Sequence, residues 1–278
     1  TLNNPVTGQN ISGNFTFNAS IANFNVTTNV TWSLMNSTGS NFTLGVNNTL
    51  NSLNVTNNTG FITGGVYTIW ILATNNSIEA NTSNRNVNKS VVNITIDNTV
   101  PIVGRVAVTD DTTVLVNATE LNGTNYLKDT NITINVTITE TNVQTVFIYY
   151  ILGGALATTS DTKVQLSTSG TSSPYIYNVT IADARINDTN VTNFIIEVND
   201  TTNHLVIENQ SNSGFNFTND GTLPIVRLIS PGNGTTDEDG IVTFTINVTE
   251  TNLGNCSLFG NFNGTFILNQ TNTSAITN

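Results

Sequence analysis

The side chains that could do chemistry in this sequence are few, because only 9 % of its 278 residues are charged. Its single histidine is His204, in the segment TTNHLVI, which is typical of a loop or of the start of a strand. A Ser-His-Asp site would have to use that histidine. No HExxH motif, phosphate-binding loop or cysteine pair is present, and the acids show no pairing typical of two-carboxylate hydrolysis. The sequence predicts a solvated loop histidine and a protein that is not an enzyme.

Calcium binding is the chemistry that the acidic residues suit best, since hard cations take several oxygen ligands. The acids gather around two points of the chain, in a first group of Asp97, Asp110, Asp111, Glu120 and Glu140 and a second group of Asp220, Asp237, Glu238, Asp239 and Glu250. No DxDxDG loop is present, and acids in polar turns are common without a metal. Calcium is therefore one of two interpretations, beside simple solvated acids, and the sequence assigns no ligands.

The N-x-S/T motif, which accepts N-linked glycans in secreted proteins, occurs about thirty times. Chance would give roughly twelve in a chain so rich in Asn, Ser and Thr. Strand alternation adds to the excess, because it favours Thr two residues after Asn on an exposed face. We predict secretion and N-glycosylation. The predicted sites are Asn14, Asn25, Asn36, Asn41, Asn54, Asn57, Asn117, Asn122, Asn131, Asn178, Asn187, Asn190, Asn199, Asn233, Asn247, Asn263 and Asn269.

The charge balance and the apolar runs exclude two further classes. Seven Lys and Arg face 18 Asp and Glu, and the net charge of −11 repels phosphate backbones, so nucleic-acid binding is not expected. The longest apolar run is VFIYYILGGALA, at residues 146–157. A transmembrane helix needs about twenty apolar residues. The run instead predicts a buried strand followed by a glycine turn, and no transmembrane segment.

Internal repeats indicate which elements hold these residues. The segment NFTFNASIANFNV, at residues 14–26, aligns with NITINVTITETNV at 131–143, and VTFTINVTETNL at 242–253 continues the series. Apolar and polar residues alternate in all three, which predicts half-buried strands. Trp32, in VTWSL, is predicted to lie in a core. No stretch has the spacing of an amphipathic helix.

A second repeat marks the joints between units. The segment DNTVPIV at residues 97–103 recurs as DGTLPIV at 220–226, and in both a turn is followed by a proline. Pro101 and Pro224 are about 123 residues apart, a length suited to one β-sandwich. We place boundaries near Asn98 and Gly221, which gives unit 1 (residues 1–98), unit 2 (99–221) and unit 3 (222–278).

Together these elements resemble the immunoglobulin-like repeats of archaeal and bacterial cell-surface glycoproteins. The resemblance lies in SGNFTFNAS at residues 12–20, in Gly65 and Tyr67 of a late strand and in the DxTxP joints, and it covers essentially the whole chain. Unit 3 is especially similar to surface repeats of small-genome archaea. The resemblance implies an all-β fold of tandem immunoglobulin-like β-sandwiches, the last one incomplete.

The resemblance also implies a function and a location. It implies a structural repeat at the cell surface, in an extracellular filament, pilus-like polymer or surface layer, which associates with identical subunits and carries N-linked glycans. The alternatives are an adhesin or carbohydrate-binding stalk, which exposed aromatic clusters would favour, or the spacer of a larger surface enzyme. Similar modules often carry a second cysteine on a late strand. The resemblance implies that Cys256 points inward on the third strand and is unpaired within this chain.

The two ends depart from the pattern of the middle unit. Unit 1 lacks most of a first strand, and unit 3 holds about 55 residues after its joint, where one sandwich needs about a hundred. Two explanations are open. The chain is part of a longer tandem array, which we favour, or a neighbouring subunit completes the open sandwich by strand addition.

Overall fold

The alternating segments fold into β-strands, and other regular elements are rare. The computed structural model describes residues 2–20, 28–47, 53–75, 91–110, 113–128, 131–182, 191–209, 214–250, 252–261 and 264–273. Within these ranges the exceptions are a 3-10 turn at Thr59–Phe61 and the one-turn helix α1 at Asn117–Glu120. The predicted all-β class is confirmed. Neither of these described helices is long and apolar enough to cross a membrane.

Unit 1 contains two sheets whose inward side chains share one core. Its strands are β1 (Leu2–Asn4), β2 (Asn10–Ile11), β3 (Asn14–Ala19), β4 (Thr28–Asn36), β5 (Asn41–Asn47), β6 (Asn54–Asn58), β7 (Gly65–Asn75) and β8 (Val91–Ile96). One sheet has the order β1-β3-β6, and the other has the order β2-β8-β7-β4-β5. Strand β2 runs parallel to β8, and the other pairs are antiparallel.

Trp32 lies at the centre of the unit 1 core, as predicted from the sequence. Its side chain is fully buried, and its ring centroid lies 6.3 Å from that of Phe17 on the opposite sheet. Leu34 and Ile69 are also fully buried in this core. Burying a large apolar side chain contributes roughly 1.5–3 kcal/mol, so this contact between the sheets is a main source of stability.

Unit 2 contains two larger sheets around a second core. Its strands are β9 (Ile102–Thr109), β10 (Val114–Val116), β11 (Asn122–Leu127), β12 (Asn131–Thr139), β13 (Val143–Leu152), β14 (Thr162–Gln165), β15 (Ser167–Thr168), β16 (Tyr175–Ala182), β17 (Val191–Asp200), β18 (Leu205–Glu208) and β19 (Phe215–Asn219). The sheet orders are β10-β9-β12-β16-β15 and β11-β19-β17-β13-β14, with β18 paired to β17. Strand β11 runs parallel to β19, as β2 does to β8 in unit 1.

The apolar run at residues 146–157 forms a buried strand and a turn, as predicted. Strand β13 ends at Leu152, and Gly153 and Gly154 follow with φ values of 96° and 77°. Such left-handed backbone conformations favour glycine, which has no Cβ to clash with the preceding carbonyl. The inward face of β13, with Ile148 and Tyr150, packs in the unit 2 core.

Unit 3 contains four described strands in two separate pairs. These are β20 (Ile225–Ser230), β21 (Thr245–Thr249), β22 (Cys256–Gly260) and β23 (Ile267–Asn272), in the pairs β20-β21 and β22-β23. Strand β21 aligns in sequence with β3 and β12. Cys256 is a free, partly buried cysteine that lines a cleft of about 820 Å³ together with Val226 and Leu258. The boundaries near Asn98 and Gly221 stay predictions.

Candidate metal centre at the first joint

Three strand ends meet at the junction of units 1 and 2, and each brings a carboxylate. Asp97 follows β8 of unit 1, Glu140 follows β12 of unit 2, and Asp200 is the last residue of β17. Asp97 and Glu140 are each 5 % exposed, and Asp200 is 0 % exposed. One carboxylate oxygen from each residue lies within 4.8 Å of the other two. We call these three residues the joint triad.

Asp97 is held by the turn that leads into unit 2. Its Oδ1 accepts hydrogen bonds from the Thr99 amide at 3.2 Å and the Thr99 hydroxyl at 2.6 Å. Its Oδ2 accepts a hydrogen bond from Asn142 Nδ2 at 2.7 Å. Burial raises the pKa of the Asp97 carboxyl, but the hydrogen bonds from Thr99 and Asn142 outweigh burial and leave the pKa below its ordinary value. Asp97 is therefore an anion at neutral pH.

Glu140 is oriented by the start of the β12–β13 connection. Its Oε1 accepts hydrogen bonds from the Asn142 amide at 3.1 Å and from the Thr141 hydroxyl at 3.1 Å. Its Oε2 lies 3.1 Å from the Thr99 hydroxyl oxygen, which is also 2.6 Å from Asp97 Oδ1. A hydroxyl has one proton, so the two carboxylates share this donor and Thr99 bridges them.

Asp200 is paired with the only histidine, which corrects the expectation of a solvated loop histidine. His204 lies in the β17–β18 connection, but its Nδ1 is 2.7 Å from Asp200 Oδ2 and its side chain is only 24 % exposed. Thr202 Oγ1 lies 2.9 Å from the same ring nitrogen. A Ser-His-Asp relay places the acid and the nucleophile on opposite ring nitrogens. Here both groups contact Nδ1, so His204 orients Asp200 and does not form such a relay.

Polar contacts across the junction surround the joint triad. Asn142 of unit 2 donates to Asp97 of unit 1, as described above. In addition, Asn10 Nδ2 donates to Thr201 Oγ1 at 2.7 Å. The Ser12 hydroxyl donates to the Thr202 carbonyl at 3.4 Å. The triad therefore lies within an interface, and any ion bound there would hold both units.

The partners of the joint triad are mainly neutral hydrogen-bond donors. Among the described residues, no Lys or Arg forms an ion pair with the triad, and the imidazole of His204 lies 2.7 Å from Asp200. Buried anions need a partner to offset the loss of hydration. A cation shared by the three carboxylates would supply one.

Calcium fits the donor set. All three donors are carboxylate oxygens, the ligand type that Ca²⁺ prefers. Ca–O distances are about 2.3–2.6 Å, so three oxygens spread evenly around one ion are about 4.0–4.5 Å apart. The triad oxygens all lie within 4.8 Å of one another, which is close to that spacing. Other oxygens would complete the six to eight ligands that calcium takes.

The second joint repeats part of this arrangement. Asn252 Nδ2 donates to Asp220 Oδ2 at 2.9 Å, and the Asn252 amide donates to Glu250 Oε1 at 3.0 Å. These contacts match those of Asn142 with Asp97 and Glu140. Glu250 Oε2 is buried and has no hydrogen-bond partner in the part of the chain that is described. Because both contacts recur, we infer that this Asn-Asp-Glu arrangement is a common feature of the two joints.

The two groups of acidic residues predicted from the sequence only partly match the carboxylates that meet at the two joints. Asp110 instead accepts a hydrogen bond from the Lys128 amide at 2.8 Å, and Glu120 accepts one from the Val116 amide at 2.6 Å. Asp111 lies outside the described residues. The acids at 237–239 are exposed in unit 3. Asp200 was missed because it is distant in sequence from the first group, although its place at the end of a late strand was a usable signal.

Most of the predicted glycosylation sites that the structure describes are exposed residues. Exposed sites are Asn14, Asn41, Asn54, Asn117, Asn122, Asn131, Asn233, Asn247 and Asn269, and partly buried sites are Asn36, Asn57, Asn178 and Asn199. Asn25, Asn187, Asn190 and Asn263 lie outside the described residues. Asn57 and Asn199 are less suitable, because the Nδ2 of Asn57 donates to the Leu44 carbonyl at 2.8 Å and that of Asn199 donates to Gln144 Oε1 at 3.3 Å.

Comparison with known proteins does not assign the chain to a family. No protein-family model and no curated protein sequence matches the chain. The resemblance to cell-surface repeats therefore stays a prediction. Function is inferred from the joint and from the outer faces of the sheets.

Proposed function

We propose that this chain is a structural repeat of an extracellular, N-glycosylated assembly in which calcium stiffens the joint between units 1 and 2. The assembly is a filament, a pilus-like polymer or a surface layer. The observation that carries the proposal is the joint triad, which draws its carboxylates from both sides of the joint. Separating the units would break the coordination, so binding free energy opposes bending or extension at this point.

The composition of the outer faces supports the extracellular part of the proposal. On β12 the residues Ile132, Ile134, Val136 and Ile138 are buried, while the Asn and Thr residues between them face outward. Only 9 % of the chain is charged, so ionised side chains supply little of its solubility. Neutral N-linked glycans on the outward Asn residues would supply it. Tandem immunoglobulin-like modules of surface proteins suit the same role.

Association with identical subunits is part of the proposed function. Unit 3 exposes large apolar side chains, among them Leu223 at 81 %, Ile241 at 78 % and Phe266 at 71 %. Exposed apolar surface of this kind is typical of contacts with other chains. Such contacts suit a polymer or lattice.

An adhesin or carbohydrate-binding stalk is the alternative, and exposed aromatic rings favour it. Phe61 is 91 % exposed in the 3-10 turn, where a ring could stack on a partner. Phe259 and Phe266 of unit 3 are 51 % and 71 % exposed, and their stacked rings lie 6.2 Å apart. On β13, by contrast, Tyr149 is only 4 % exposed. We prefer the structural role because the joint triad draws on both units, which a surface platform for a sugar does not require.

Calcium titration tests the role of the joint. The chain is expected to bind calcium with a dissociation constant on the order of 10⁻⁴–10⁻³ M, a range usual for extracellular modules. Asp97→Asn should remove the binding at the first joint, because it removes a negative ligand and keeps the side-chain volume. Isothermal titration calorimetry measures the dissociation constant of wild type and the loss of binding in the variant. Asp237→Asn, which neutralises an exposed acid, is the matched control. Equal binding by Asp97→Asn and wild type would overturn the assignment.

The intact mass of secreted protein tests the glycoprotein part. We expect the mass to exceed the 29.7 kDa of the polypeptide by several glycans, because most described sites are exposed. Enzymatic removal of N-glycans should return the polypeptide mass, apart from Asn-to-Asp conversion. Protein made in a cell that does not glycosylate is the control. A secreted protein with the bare polypeptide mass would contradict the proposal.

A further inference from the structure

The outer face of the sheet β1-β3-β6 carries a row of asparagine side chains that contact one another. Asn18 on the central strand β3 lies directly opposite Asn54 on β6. Asn18 Nδ2 donates a hydrogen bond to Asn54 Oδ1. On the other side, Asn3 Nδ2 on β1 donates to Asn18 Oδ1 at 2.8 Å. The row therefore crosses all three strands.

Two members of this row belong to glycosylation motifs. Asn18 begins the motif NAS and Asn54 begins the motif NVT. Asn54 is exposed on a strand at one end of the sheet, whereas Asn18 is partly buried between its neighbours. Glycosylation converts the side-chain Nδ2 into the point of attachment of a sugar ring. The two attachment points are thus side by side on one face.

The spacing of strands leaves room for one sugar at this position. Neighbouring strands lie about 4.7–4.9 Å apart, and directly opposite Cβ atoms about 4.5–5.5 Å apart. A pyranose ring with its substituents is broader than this spacing. Two first sugars on opposite asparagines would therefore overlap, unless the contacts of β3 with β6 were broken.

We infer that Asn18 and Asn54 form a mutually exclusive pair that carries one N-linked glycan in the folded chain, with Asn54 as the favoured acceptor. The inference rests on the proposed glycosylation. Asn54 is favoured because it is exposed and has a strand neighbour on one side of its sheet, whereas Asn18 has asparagines on both sides. The same reasoning applies to Asn135 and Asn178, which are opposite each other on β12 and β16 and which both begin N-x-T motifs.

Counting glycans by intact mass tests the inference on secreted, folded protein. The variants are Asn18→Gln, Asn54→Gln and the double variant. Asn18→Gln and Asn54→Gln are each expected to keep the wild-type number of glycans, because the remaining asparagine accepts the sugar. The double variant is expected to carry one fewer than wild type. The Asn36→Gln/Asn233→Gln double variant is the control, since these motifs are far apart in sequence and both lie at turns. It should lose two glycans.

Each other result overturns the inference. A loss of two glycans from the Asn18→Gln/Asn54→Gln variant would show that both sites are occupied together. A loss of none would show that neither is occupied. Failure of the proposed N-glycosylation is distinguishable from these results, because wild-type protein would then have the mass of the bare polypeptide.

Discussion

Calcium is expected to raise the melting temperature of the chain by about 5–10 °C, and the Asp97→Asn/Glu140→Gln double variant is expected to lose this increase. A ligand at one hundred times its dissociation constant stabilises the folded state by about 2.7 kcal/mol. For units 1 and 2 unfolding together, each kcal/mol shifts the melting temperature by about 2–4 °C. The double variant keeps the shape of the joint triad but replaces two of its three carboxylates with amides. Differential scanning calorimetry with calcium and with chelator measures the difference.

The same double variant is expected to be less stable than wild type when calcium is chelated. Hydrogen bonds from Thr99 and Asn142 hold the pKa of Asp97 below its ordinary value, so the fold favours the Asp97 anion. An amide at position 97 loses that contribution. Calcium should therefore raise the melting temperature of wild type and leave that of the double variant unchanged.

An Asp97→Ala variant separates charge from structure. It removes the carboxylate and also the acceptor for Thr99 and Asn142. Buried donors without a partner cost about 1–3 kcal/mol, so this variant should be less stable than Asp97→Asn both with calcium and without it. If the double variant and wild type responded alike to calcium and to chelator, the joint triad would not be a calcium site.

The buried core residues could be predicted from the sequence, because the alternation of apolar and polar residues is a local pattern within each strand. Alternation places Trp32 inside unit 1 and Ile148 inside unit 2, and both are fully buried. The repeat of DxTxP likewise marks where Asp97 and Asp220 lie. A period of two residues fixes which face of a strand is buried, whatever strand lies beside it.

The candidate site could be predicted only in part, because it depends on which strand ends meet. Asp97 and Glu140 were in the predicted group of acids, but Asp110 and Glu120 were there too, and local backbone amides hold both of these elsewhere. Asp200 joins the triad through the position of β17 in the sheet. The sequence marks Asp200 as the end of a late strand, but its spacing does not show which other strand ends it meets, since non-local strand pairing is set by packing.

Phe194→Ala is expected to destabilise unit 2 by about 3–5 kcal/mol while leaving the unfolding of unit 1 unchanged in chelator. Phe194 is fully buried, and its ring lies 5.1 Å from Phe215 and 6.4 Å from Phe217. Truncation would leave a cavity among these rings. The unit 1 core is formed by other residues, from Ile11 to Ile96, so the loss should not reach it.

The two tryptophans make this prediction measurable. Trp32 and Trp70 are the only ones in the chain, and both lie in unit 1. Tryptophan fluorescence therefore follows unit 1 alone, whereas circular dichroism follows the strands of both units. In chelator, Phe194→Ala should lower the urea midpoint of one dichroism transition and leave the fluorescence midpoint in place. Phe61→Ala, at a 91 % exposed position, is the control and should shift neither by more than about 0.5 kcal/mol.

Calcium should then couple the two signals. With the ion bound by carboxylates from both units, unfolding of unit 2 releases it from unit 1 as well, so the units lose stability together. Fluorescence and dichroism midpoints of Phe194→Ala should move closer together in calcium than in chelator. Adding Asp97→Asn should abolish that convergence. A fluorescence transition that shifts as much as the dichroism transition in chelator would show instead that units 1 and 2 unfold as one cooperative body without the ion.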